Sequence, residues 1–146
     1  MKTAGIIGGI GPESTIEYYR AIIAAFRQGR PDADYPSIII NSISVKKLLE
    51  LVGANQLAAL SDWLTGEVER LAKARADFAL FASNTPHIVF DELARRSPIP
   101  LISIVEATCK VARVRVWVLC AGGTGRGVHA ASDPITARPR VTRPGQ

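Results

Sequence analysis

Phe78-Ala79-Leu80-Phe81-Ala82-Ser83-Asn84-Thr85-Pro86-His87 decides the fold of this chain. An apolar run passes through a small residue into three polar ones, and Pro86 opens an amphipathic segment carrying Ile88, Val89 and Leu93. A run bounded in this way predicts a buried strand, then a turn, then a helix reaching to about Ser97. In open α/β sheets ligands gather outside the carboxyl ends of the strands. Ser83, Asn84 and Thr85 would stand there with two hydroxyls, an amide and backbone N–H groups. The same residue types also serve as turn and helix-cap residues. Spacing alone leaves both readings open.

Toward the N-terminus, Thr3 to Gly8 reads as a first buried strand, followed by Gly8-Gly9-Ile10-Gly11-Pro12-Glu13-Ser14-Thr15. Pro12 suits the first turn of a helix, where a missing N–H costs nothing. Ile16, Tyr19, Ile22, Ile23 and Phe26 fall at helical spacing, and Gly29 ends the segment. Glycines let the backbone approach a ligand closely, and a helix start favours an anion. Gly9-x-Gly11-x-x-Ser14 matches only part of the dinucleotide fingerprint, which also requires an acidic residue at the end of the second strand. That strand, predicted over Ser37–Ile40, runs into Asn41-Ser42 instead. A P-loop is excluded because no Gly-Lys-Ser/Thr occurs. The anion that suits Gly9, Ile10 and Gly11 is a small carboxylate.

Arg30 to Pro36 is a loop by its proline and aspartate content. Lys46 and Lys47 follow the second strand; they are either solvated or, on the logic of charged clefts, one of them (Lys47) meets a substrate carboxylate. Asn55 to Ala76 is the longest helical pattern, with Leu57, Leu60, Leu64, Val68 and Leu71 as its apolar stripe. Trp63 is read as a packing residue. Pro98-Ile99-Pro100 precedes a short strand at Leu101–Ile104, a helix is predicted over Val105–Ala112, and Val116–Leu119 has the composition of another strand. Strand and helix alternate throughout. The expected architecture is a three-layer α/β/α domain with a parallel sheet of about four strands and right-handed crossovers.

The net charge of +5 is unevenly placed. Residues 1–109 hold 11 Lys/Arg against 12 Asp/Glu, a balance of −1, whereas residues 110–146 hold 7 against 1, a balance of +6. A basic tail is a footprint for nucleic acid. No aromatic follows Trp117 to stack on bases, which argues against that partner. No apolar run has the length of a membrane span, the N-terminus lacks the apolar core of a signal peptide, and a cytoplasmic protein is expected. Cys109 and Cys120 have no metal-ligand spacing and are read as packing thiols. Residues 1–119 are expected to form one α/β domain. Residues 120–146, rich in Gly, Pro and Arg and without apolar periodicity, are expected to be an irregular, disordered tail.

Up to about residue 112 the chain resembles the aspartate/glutamate racemase family. The resemblance rests on Gly5-Ile6-Ile7-Gly8-Gly9-Ile10-Gly11-Pro12-Glu13-Ser14-Thr15 with Tyr18-Tyr19, and on Ala82-Ser83-Asn84-Thr85-Pro86-His87. It rests also on Ile99-Pro100-Leu101-Ile102-Ser103-Ile104 before Glu106-Ala107-Thr108, in that order and spacing. It implies two similar α/β domains facing each other across the substrate, and no cofactor. Two residues, usually cysteines, would stand on opposite faces of the amino acid's Cα, one removing the α-proton and the other returning one. By this resemblance Asn84 and Thr85 bind the substrate carboxylate, and the first acid/base position falls on Ser83.

Two departures follow. A cysteine thiol titrates near pH 8.5 and is readily tuned lower, whereas the Ser83 hydroxyl is a far weaker acid and needs an adjacent base. His87, four residues on, either assists it or packs on the loop. Beyond Val114 the family pattern fails, and the expectation is a truncated chain, its second half missing or out of frame. The functions to be weighed are then a racemase-like half-site for an acidic amino acid, a non-catalytic carboxylate binder or pseudoenzyme remnant, and a nucleic-acid module. An apolar surface left uncovered also predicts self-association into a homo-oligomer.

Overall fold

The computed structural model of the protein describes residues 1–29 and 34–121, with side chains through residue 113. The predicted tail from residue 122 on and most of the loop after Gly29 lie outside the described residues; Cys120 and Ala121, assigned to that tail, are the last two residues of the final helix. In chain order the elements are β1 (Ala4–Gly8), α1 (Pro12–Gly29), β2 (Ile38–Ser42), α2 (Val45–Gly53) and α3 (Leu57–Lys73). They continue with β3 (Phe78–Phe81), a 3₁₀ segment (Thr85–Val89), α4 (Phe90–Arg96), β4 (Leu101–Ile102) and α5 (Ile104–Ala121). Met1–Ala112 forms one compact unit, and the described part of the second unit, Arg113–Ala121, is helical.

All strand pairs are parallel, in the order β2-β1-β3-β4. Ile6 sits opposite Ile40 on one side and Leu80 on the other, and Leu80 opposite Ile102. Side chains alternate between faces along a strand, so these four residues share a face. The chain moves outward from β1 to β2, then crosses back to β3 on the other side. The carboxyl ends of β1 and β3 therefore form a topological switch point, where α/β folds place their ligands.

On the opposite face Ile7, Ala79 and Phe81 meet Leu48 of α2, Leu60, Leu64, Val68 and Leu71 of α3, and Leu93 of α4 in one buried cluster. Each of the larger side chains, the Ile, Leu, Val and Phe, contributes about 1.5–3 kcal/mol when removed from water. The face carrying Ile6 holds a smaller cluster, Ile6, Leu80, Ala82 and Ile104, on which Tyr18 and Ile22 of α1 pack. Helices thus lie on both faces of a four-stranded parallel sheet, in agreement with the expected three layers.

Four local expectations are corrected. Nine residues from Val45 form α2, which the charge-led reading of Lys46 and Lys47 overlooked; the Ser44 hydroxyl caps it by accepting from the Lys47 N–H. Val116–Leu119 lies inside α5 rather than in a strand, since a short apolar run without a Gly or Pro break suits either state. On α1 the buried stripe runs through Thr15, Tyr18 and Ile22, leaving Ile16 and Tyr19 exposed. Cys109 is exposed rather than packed, because the helix turns it away from Ile104. The side chain of Cys120 lies outside the described residues.

A buried carboxylate ties β2 to α3. Glu67 accepts hydrogen bonds from Asn41 Nδ2 at 2.8 Å, Trp63 Nε1 at 3.0 Å and Arg70 Nη1 at 3.0 Å. It is 5% exposed, and these donors offset the cost of taking its carboxyl oxygens out of water. Trp63 is the packing residue its position predicts.

Candidate functional site

The turn after β1 depends on two glycines. Gly9 has φ +80°, and a Cβ there would lie 2.4 Å from Ser42 Oγ and 2.6 Å from the Ile43 carbonyl. Gly11 has φ +149°, and its Cβ would lie 2.7 Å from Ser14 Oγ. Only glycine meets both the backbone geometry and the space. The first residues of α1 then hold the turn closed. Gly9 N–H donates to Thr15 Oγ1 at 3.1 Å, and Thr15 Oγ1 donates to the Gly11 carbonyl at 3.0 Å. Thr15 is buried, as an internal strut should be.

Ser14 joins this turn to the end of β3. Its Oγ lies 2.6 Å from the Ala82 carbonyl and 2.8 Å from the Gly11 carbonyl, one hydroxyl proton serving two acceptors. Ala82 N–H donates to the Ile7 carbonyl at 2.9 Å, so the ladder between β1 and β3 persists to the residue before Ser83. Ser83 and Asn84 therefore emerge beside Gly11 from a backbone fixed on two sides.

These residues enclose a concavity of about 370 Å³ lined by Ile10, Gly11, Ser14, Tyr18, Ala82, Ser83, Asn84 and Ile104. Ser83 is half-buried and Asn84 exposed. Among the described residues no charged side chain lines it. An anion there would be held by hydroxyls, an amide and the N–H groups of the first turn of α1, which have no intrahelical acceptors.

The sequence-predicted residues divide on this geometry. Ser83, Asn84, Ile10 and Gly11 come together in the concavity, and Gly9 shapes the turn behind it. Thr85 begins the 3₁₀ segment and does not line the opening. Lys47 is on α2 with its ammonium 4.7 Å from the Trp63 ring centroid, a cation–π contact away from the lining residues. His87 stacks on Phe90 with ring centroids 4.8 Å apart, and both its ring nitrogens are buried without a hydrogen-bond partner. It packs, and offers Ser83 no base. Ser14 and Tyr18, present in the quoted motifs, are the polar lining residues to which the sequence reading gave no site role. Their separation of four residues, one helical turn beyond the glycines, was the available signal.

Among the described residues no group of His, Cys, Asp or Glu could hold a metal ion. None of the helices among them is long and apolar enough to cross a membrane.

Comparison with known proteins gives the same picture. Residues 7–132 match the model of the Asp/Glu/Hydantoin racemase family, which reaches past Val114. The broad specificity amino-acid racemase RacX of Bacillus subtilis is 29% identical over 111 residues, covering 73% of this chain and 47% of RacX. The crystal structure of an aspartate racemase homologue from Pyrococcus horikoshii superposes with a TM-score of 0.69 at 36% identity, covering 79% of this chain and 50% of that one. The chain thus spans about half the length of these relatives. With its glycine turn and its Ser-Asn-Thr loop meeting at the switch point, the chain belongs to the Asp/Glu/hydantoin racemase family.

Proposed function

We propose that this chain supplies one flank of a cofactor-independent amino-acid racemase site for aspartate or glutamate. The reading rests on one observation: Ser83 and Asn84 leave β3 in the same concavity as the Gly9–Gly11 turn, with Ser14 fixing one against the other. In this reading Asn84 and the N–H groups around Gly11 hold the α-carboxylate. Ser83 faces Cα from one side. Lys47 takes no part, its ammonium being engaged over Trp63.

Racemisation removes the Cα proton on one face and delivers a proton on the other, so it needs a base, an opposed acid and a site closed to water. A serine oxygen accepts a carbon-bound proton only when a neighbouring base relieves it. Among the described residues no carboxylate, imidazole or amine lines the concavity, and His87 faces Phe90. The expected behaviour of these 146 residues is therefore binding of an acidic amino acid with negligible turnover. The neutral lining favours, as a second reading, a non-catalytic carboxylate-binding domain.

Incubation with L-aspartate or L-glutamate in deuterated buffer, followed by chiral analysis and mass measurement, distinguishes them. No deuterium at Cα and no opposite enantiomer is the expected result. Rapid exchange with interconversion would show a complete catalytic site and overturn the half-site reading. Replacing Asn84 and Thr85 with alanine should abolish affinity; unchanged affinity for every dicarboxylic amino acid tried would overturn the carboxylate assignment.

A further inference from the structure

The concavity has a second wall that the carboxylate reading leaves unused. Ser14 and Tyr18 lie four residues apart on α1, hence on one face of the helix, and both line the opening together with Ser83 and Asn84. Their hydroxyls are in different states. That of Ser14 is engaged with the Ala82 and Gly11 carbonyls. The Tyr18 ring packs on the cluster of Ile6, Leu80, Ala82 and Ile104, while its hydroxyl makes no hydrogen bond to a described residue. A tyrosine held by its ring and free at its oxygen presents a rigid, pre-oriented donor at little entropic cost. An acidic amino acid brings two carboxylates, and the described lining, which carries no cation, meets them with neutral donors. Asn84 and the glycine turn account for one. On the α1 wall, Tyr18 carries the unengaged side-chain donor.

We infer that Tyr18 is a specificity-determining residue: its hydroxyl donates a hydrogen bond to the side-chain carboxylate of an acidic amino acid whose α-carboxylate is held by Asn84 and the glycine turn. The inference rests on the reading given under Proposed function. It makes the preference for aspartate or glutamate over alanine a property of α1 rather than of the Ser-Asn-Thr loop.

Tyr18→Phe removes the oxygen and keeps the ring on its cluster, so the fold is retained, as an unchanged melting temperature would verify. Affinities for L-aspartate, L-glutamate and L-alanine are measured by ligand-observed NMR titration for the parent chain, Tyr18→Phe and Asn84→Ala. The expected result is a roughly 10-fold loss in Tyr18→Phe for the two acidic ligands, with alanine unchanged, and a loss for all three ligands in Asn84→Ala. An unaltered preference in Tyr18→Phe, with Asn84→Ala still weakened, would overturn the role of Tyr18 and leave the carboxylate site standing. Absence of binding by the parent chain, or full affinity in Asn84→Ala, would overturn both.

Discussion

The two faces of the sheet are built to different standards. Behind Ile7, Ala79 and Phe81, three helices close over a continuous core in which Leu60, Leu64 and Phe81 are fully buried. Behind Ile6 and Leu80, α1 covers the centre, and among the described residues Ile40 and Ile102 at the two sides are each 42% exposed. Ile16 and Tyr19 add an uncovered stripe on α1 itself. The candidate site opens where the thin layer meets the carboxyl ends of β1 and β3. One face supplies rigidity; the other supplies access.

That contrast can be broken by measurement. The largest expected effect is Leu64→Ala, which removes a fully buried side chain and should cost about 2–5 kcal/mol in chemical denaturation. The matching change on the thin face, Ile22→Ala, should cost less than half as much, because Ile22 is only partly buried. Equal losses would mean that the two layers are equally packed.

Gly9→Ala is expected to follow in size. It forces a positive φ on an L-residue and drives a methyl group into Ser42 and the Ile43 carbonyl, at about 1–3 kcal/mol. Ligand affinity should fall with it, as the turn moves. Glu67→Gln should then cost about 1–2 kcal/mol, since the neutral amide keeps the volume but loses the charge that Arg70, Trp63 and Asn41 satisfy. The smallest effect belongs to the site. Asn84→Ala is exposed and should change stability by no more than about 0.5 kcal/mol in the same denaturation experiment.

Much of this arrangement is legible in the residues. Pro12 and Gly29 bound α1 where capping chemistry places them, and the Phe78–Ala82 run delivers Ser83 to the end of a buried strand. What was not legible has physical reasons. α1 carries Tyr18 and Ile22 on one stripe and Ile16, Tyr19 and Ile23 on the next, so periodicity reports a helix but not which of two adjacent stripes is buried. The sheet settles it by accepting Tyr18 and Ile22. α2 is nine residues long and begins at paired lysines, so its Leu48 anchor is masked by the charges beside it. The role of Ser14 depends on the Ala82 carbonyl, 68 residues away along the chain. No local pattern carries such a contact.

The most direct test follows backbone amide resonances during titration with aspartate. Shifts should concentrate at Gly9, Ile10, Gly11, Ser83, Asn84 and Thr85, with residues of the α3–α4 side such as Ala58 and Glu92 unmoved. Shifts centred on α3 and α4, or none at saturating aspartate, would contradict a carboxylate site at the switch point.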